Sequence, residues 1–265
     1  MATRNIDQQD PMATAGDSNE EEEELEDSSM SLMEHLEELR WRIFKSLIAI
    51  VVGGIVAFIF REPILHFLTY PLPKTADAAI HAGGKLIVLG LAEGFTVYLK
   101  LSFAAGFLVA LPVILYQVWA FVSPGLYERE KKNAVPFIFI GVILFVAGIA
   151  LGFIVLRFPV QWLINFASDS FTPLITADSY FTFVAFFLLA FGIVFEIPLV
   201  LTFLAQIGLI TSRTLTRRRP TAHIGMWIAA TFLTPGADIY SPIILGIAMS
   251  FLFELTIVFI KITKH

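Results

Sequence analysis

Three carboxylates stand where ordinary sequence logic would not put them. Glu196 lies in AFGIVFEIPLV, residues 190–200, a stretch otherwise apolar or glycine. A carboxyl group near the centre of a bilayer costs several kcal/mol. It must be protonated, face a wet groove or meet a polar partner. Two residues on, Pro198 lacks a backbone donor and is expected to bend the helix. Glu38 lies in MEHLEELRWRIFKS, residues 33–46, and Leu32 just before it makes one apolar helical stripe with Leu36, Leu39 and Ile43. Glu38 precedes Arg42 by four residues, a supportive helical ion pair. Glu130 lies with Glu128 among Arg129, Lys131 and Lys132. Acids set among such cations suit a cationic ligand, because a guanidinium binds a carboxylate with two parallel hydrogen bonds. The plainer alternatives are an interhelical hydrogen bond for Glu196, an interfacial helix for residues 33–46 and a solvated loop for Glu130.

Other chemistries have little support. His35-x-x-Glu38 has no second metal-binding pair, and no metal site or cofactor is expected. The chain has no cysteine, so thiolate chemistry is impossible. No HExxH, GxSxG, GxxxxGK[ST] or GxGxxG signature occurs, so the chain does not read as an enzyme.

The elements that must position these acids are membrane helices. Of 265 residues, 57% are hydrophobic and mean hydropathy is +0.77, above the roughly 45–50% apolar content of soluble domains. Six apolar segments cover about residues 43–60, 98–122, 134–156, 180–210, 222–234 and 242–260. Pro220 and Pro235 bracket the fifth, leaving about 21 Å of helix against a hydrocarbon core of about 30 Å. It is expected as a short span, a re-entrant segment or a site of local thinning, forming a tight hairpin with the sixth through TPGADIYSP. Gly148 and Gly152 in GIALG are expected to pack against a neighbouring helix within the molecule.

Charge sets the expected orientation. Residues 1–30 hold ten acids and one base, and without them 13 acids face 17 bases. That segment cannot bury enough apolar surface to order itself and is expected as a disordered acidic cytoplasmic tail, with residues 31–265 as the membrane domain. With six passes, the side holding both termini receives 13 of the 18 Lys and Arg residues. Both termini are therefore expected in the cytoplasm. TSRTLTRRRP, residues 211–220, reads as a topogenic or lipid-facing flank. Glu254 can reach toward that interface. Trp119, Phe121 and Tyr127 are expected as an aromatic belt. On the outer side, RFPVQWLINFASDSFTPL suits an interfacial helix.

Four stretches resemble one family: SLMEHLEELRWR at 31–42, PVILYQVWAFVSPGLYEREKK at 112–132, FGIVFEIP at 191–198 and LTP at 233–235. They look like TatC, the polytopic subunit of the twin-arginine protein translocase, over about residues 31–260. The resemblance implies an all-α membrane fold of six helices in a concave, glove-like arrangement, the fifth and sixth short. It implies a receptor for twin-arginine signal peptides on folded cargo, located in the cytoplasmic (inner) membrane and dependent on the proton-motive force. The implied partners are the single-span subunits TatA and TatB, further copies of the chain in a receptor complex, and membrane lipid; nucleic acid is not among them. The resemblance assigns signal-peptide binding to Glu38, Arg40, Phe121 and Glu130. It makes Glu196 the intramembrane polar site and gives Pro71 of the first outer loop a structural role; Pro124 and Pro198 are expected to be structural on chain geometry. The family's usual TPPD stands here as TPGAD, so no role is carried over to Asp238.

Without the resemblance, a proton-coupled secondary transporter or channel using Glu196 competes with the receptor reading, and an assembly scaffold is a third possibility. In the receptor reading, the hydrophobic part of a signal peptide enters a groove beside the fourth and fifth helices, with Glu196 on its wall.

Overall fold

The computed structural model describes residues 13–72, 86–122, 134–166, 174–236 and 238–263. Among them the chain forms α1 (Ala13–Ile59), α2 (Arg61–Thr69), α3 (Glu93–Val122), α4 (Ala134–Val155), α5 (Arg157–Phe166), α6 (Ala177–Phe195), α7 (Ile197–Gln206), α8 (Ser212–Arg217), α9 (Arg219–Leu233) and α10 (Tyr240–Ile262). The fold class is all-α. Among the described residues, five stretches are long and apolar enough to cross a membrane: Met33–Ile59, Glu93–Phe121, Val135–Phe166, Ala177–Gln206 and Tyr240–Ile262. The chain is therefore a multi-pass membrane protein.

Residues fall into two units, Met1–Lys45 and Ser46–His265. In the first, backbone from Ala13 onward is helical. Glutamate is among the better helix formers, so an acidic run can carry helical backbone without burying anything.

In the second unit α6 is the central element. It packs against α3, α4 and α10, burying Phe181, Val184, Phe187 and Phe191. Lipid tails are as apolar as leucine, so this association depends on close fit rather than on escape from water. Gly148 supplies the fit on α4: a Cβ there would lie 2.6 Å from the Phe191 carbonyl oxygen. Gly152, one turn on, faces the Phe191 ring in the same way. The GIALG face thus seats α6, as expected.

The fourth pass is broken. α6 ends and α7 begins at Glu196, which separates the two helices. Pro198 has no N–H to offer the Val194 carbonyl, and the Glu196 backbone N–H turns to Ile193 and Val194 instead. The expected bend is therefore a helix boundary.

The fifth pass, α9, has 15 residues, or about 22 Å of rise. The sixth, expected to be short, is not: α10 has 23 residues, about 34 Å. It starts two residues before Pro242, because proline is tolerated in the first turn of a helix. Asp238 prepares that start, accepting the Ser241 amide at 2.6 Å and the Ser241 hydroxyl at 2.7 Å.

The segments that lead into α3 and α6 are tied together. Ile87 and Thr176 form an isolated parallel bridge, and the Ala177 amide donates to Ile87 O at 2.8 Å. Glu93 accepts the Leu89 and Gly90 amides at 2.6 and 3.0 Å, and Lys100 meets Asp178 at 2.6 Å. The helix expected in the second connection is present as α5. Helix α2 in the first was not foreseen: its nine residues carry only a short apolar pattern interrupted by Pro63.

Candidate functional site

In the first unit, Glu38 and Arg42 stand one helical turn apart on α1. Arg42 Nε donates to Glu38 Oε1 at 2.9 Å, and its Nη2 closes on the same oxygen. His35 Nδ1 lies 3.8 Å from Glu38 Oε2. Glu38 is half-buried, and Arg40, two residues on, is exposed. Two residues turn a helix by about 200°, so Glu38 and Arg40 cannot share a face. The i,i+4 pair expected from spacing is present, and it shows what Glu38 can do: it accepts a guanidinium.

Glu130 and Pro124 lie outside the described residues. Phe121 is half-buried in the last turn of α3. Its neighbour Trp119 departs from the expected aromatic belt. It is 4% exposed and packs between Phe137 and Phe203, with centroids 4.9 and 5.5 Å away. Helical register turns Trp119 into the seam between α4 and α7, where a large ring fills more space than it would at the interface. Pro71 follows the end of α2, half-buried. The C-terminal end of that helix is held by Tyr180, whose hydroxyl donates to Leu68 O at 2.8 Å.

Glu196 occupies the break in the fourth pass. Both carboxyl oxygens are buried and have no hydrogen-bond partner among the described residues. Its surroundings are apolar: Gly141 of α4, whose absent Cβ would lie 3.3 Å from Glu196 Oε2, and the Leu115 and Leu199 side chains beside that glycine. The interhelical hydrogen bond of the plainer alternative is not formed with any described residue. A buried polar group normally finds a partner, and one left without costs about 1–3 kcal/mol.

Beside this break is an apolar groove of about 470 Å³, lined among others by Trp119, Phe137, Leu199, Phe203, Phe259 and Ile262. It runs between α3, α4, α7 and α10. The sequence predicts a groove beside the fourth and fifth helices with Glu196 in its wall. This one adjoins the sixth helix instead, and Pro198 and Leu199 line it where Glu196 does not. The proline-induced boundary rotates the carboxyl toward α4.

A second polar network was missed in sequence. Glu254 pairs with Arg219 at 2.7 Å and with His223 at 3.2 Å. The other ring nitrogen of His223 lies 3.1 Å from Ser250 Oγ. Spacing alone could have found part of it: Arg219 and His223 are four apart, as are Ser250 and Glu254, so each helix presents one face. No group of three or more His, Cys, Asp or Glu side chains suited to a metal occurs among the described residues.

Comparison with known proteins places this architecture. The family described as TatC, Sec-independent protein translocase protein, matches residues 34–248. A Sec-independent protein translocase protein TatC of Desulforapulum autotrophicum is 38% identical over 88% of this chain and 85% of its own length. One from Carboxydothermus hydrogenoformans is 37% identical over 91% of this chain and 96% of its own. A crystal structure of the twin-arginine translocase receptor TatC superposes with a TM-score of 0.74 at 33% identity, covering 87% of this chain and all of that one. By sequence and by fold, the chain belongs to the TatC family of Sec-independent protein translocase proteins.

Proposed function

We propose that the chain acts as the receptor that reads the paired arginines of signal peptides on folded cargo, with Glu38 and Glu130 as the accepting carboxylates and Arg40 and Phe121 as flanking contacts. Family membership makes it a translocase component and not an enzyme. The observation that carries the finer reading is the Glu38–Arg42 pair. Glu38 already engages one guanidinium through two nitrogens, so an incoming arginine presents the same planar fork to the same oxygen. Lysine, a point charge without the fork, does not. An exposed ion pair contributes only about 0–1 kcal/mol. Selectivity for two arginines therefore needs both carboxylates.

The same reading sets the chain in the cytoplasmic membrane with both termini inside, on the strength of the Lys and Arg asymmetry. TatA, TatB and further copies of the chain are its proposed protein partners. The apolar stretch of a signal peptide is proposed to lie against the lipid-facing helices, with Glu196 as the polar point within the membrane.

The test is binding of a labelled twin-arginine signal peptide to the purified chain, against a Lys-Lys peptide. Selective binding that weakens at least fivefold in Glu38→Ala and in Glu130→Ala is expected, a change of about 1 kcal/mol. Equal binding of the two peptides would sink the reading. Uptake or current in liposomes holding this chain alone would favour a transporter built on Glu196.

A further inference from the structure

We propose that the loop between the fourth and fifth passes forms, with the end of α10, a binding site for one anionic phospholipid. Its phosphate would sit among Arg213, Arg217, Arg218 and Lys261, and its acyl chains in the apolar groove between α3, α4, α7 and α10.

The basic end is a concavity, not only a run of charge. One hollow of about 590 Å³ is lined by Thr211, Arg213, Thr214, Arg217, Arg218 and Thr221. A second, of about 570 Å³, shares Arg213 and Arg217 and adds Ser212, Thr216 and Lys261. A topogenic flank requires net charge alone. It does not require guanidinium groups arrayed around a hollow, whose forked donors are those that phosphate oxygens take. The local fold is held by its own bonds: Thr211 Oγ1 accepts the Thr214 amide at 3.2 Å, and Thr216 Oγ1 donates to Ser212 O at 2.7 Å.

These cations are available. No described carboxylate pairs with Arg213, Arg217, Arg218 or Lys261, whereas the adjacent Arg219 is engaged by Glu254. Four cations without a carboxylate partner among the described residues repel the basic start of a signal peptide and attract an anion.

The nearness along the chain of the basic hollows to the groove favours a lipid over a free anion, although the two share no lining residue. Lys261 lines the second hollow and Ile262 the groove, consecutive residues of α10. Gln206 at the end of α7 lines the groove, and Thr211, five residues on, lines the first hollow. A molecule with a phosphate and long apolar chains fills both; inorganic phosphate fills one. The charge lies where anionic headgroups concentrate if the termini are cytoplasmic.

The experiment uses the full chain, purified from bilayers holding equal phosphatidylglycerol and phosphatidylcholine, with retained lipid read by native mass spectrometry. The wild-type chain is expected to keep phosphatidylglycerol in preference. Each of Arg213→Gln, Arg217→Gln and Lys261→Gln is expected to lower that retention roughly fivefold. Leu255→Trp, which fills the groove without touching charge, is expected to lower it as well. Arg213→Lys is expected to keep most of it, which separates loss of charge from loss of fold. Equal retention of both lipids overturns the proposal, as does retention unchanged in the Gln variants. Displacement of the lipid by millimolar inorganic phosphate, with Leu255→Trp silent, would make this a phosphate site without a lipid role and would also overturn it.

Discussion

Glu196 is a carboxyl group in an apolar setting, without a hydrogen-bond partner among the described residues. Such a group destabilises the fold that contains it, and its replacement by an apolar residue of similar size should relieve that cost. Glu196→Leu is therefore expected to raise the unfolding temperature of the purified chain in detergent, with a gain of about 1–3 kcal/mol, while slowing translocation of folded cargo. A variant that is no more stable, yet transports at the wild-type rate, would show Glu196 to be incidental. Asp238 is the opposite case. Its two oxygens hold the Ser241 amide and hydroxyl in a buried position, so Asp238→Ala should cost about 1–3 kcal/mol, measured by denaturant titration. Asp238 earned no role from sequence, because its surrounding TPGAD departs from the usual pattern; its function as an anchor for α10 appears only when the Ser241 amide is seen beside it.

Between elements, the seam of α4 and α6 is the most sharply fitted. Gly148→Val would drive a Cβ toward the Phe191 carbonyl oxygen, 2.6 Å away, and overpacking of this kind costs about 1–3 kcal/mol. Lower stability with an unaltered oligomeric state is expected; an altered oligomer would mean that Gly148 faces another molecule. This seam was legible in the sequence, because small residues four apart in an apolar helix have few other uses. The long passes were legible for the same kind of reason, through hydropathy sustained over enough residues. The Glu38–Arg42 pair was legible because four residues close one helical turn. What could not be read were relations that depend on rotation. Trp119 turned inward rather than joining an interfacial belt, and the carboxyl of Glu196 turned to α4 rather than to the groove. The Arg219–Glu254–His223 network joins α9 to α10, and neither strand of that pattern names the other in sequence. Helix α2 gave too short a signal.

Across the whole molecule, orientation is open to direct test because the chain has no native cysteine. Ser179→Cys, exposed beside the outer connections, should react with an impermeant maleimide added to intact spheroplasts. Thr211→Cys should react only after the inner face is opened. The reverse pattern would invert the topology and with it the proposed location of Glu38. The same frame gives the 15-residue α9 an electrical meaning. A transmembrane voltage falls across whatever low-dielectric thickness is present. Where the bilayer follows a helix of about 22 Å instead of the usual core of about 30 Å, the same voltage falls over a shorter path. The field there is stronger by about a third. A charged segment crossing beside α9 would meet the steepest part of the membrane potential, and the short helix would concentrate an energy source that every other pass spreads more thinly.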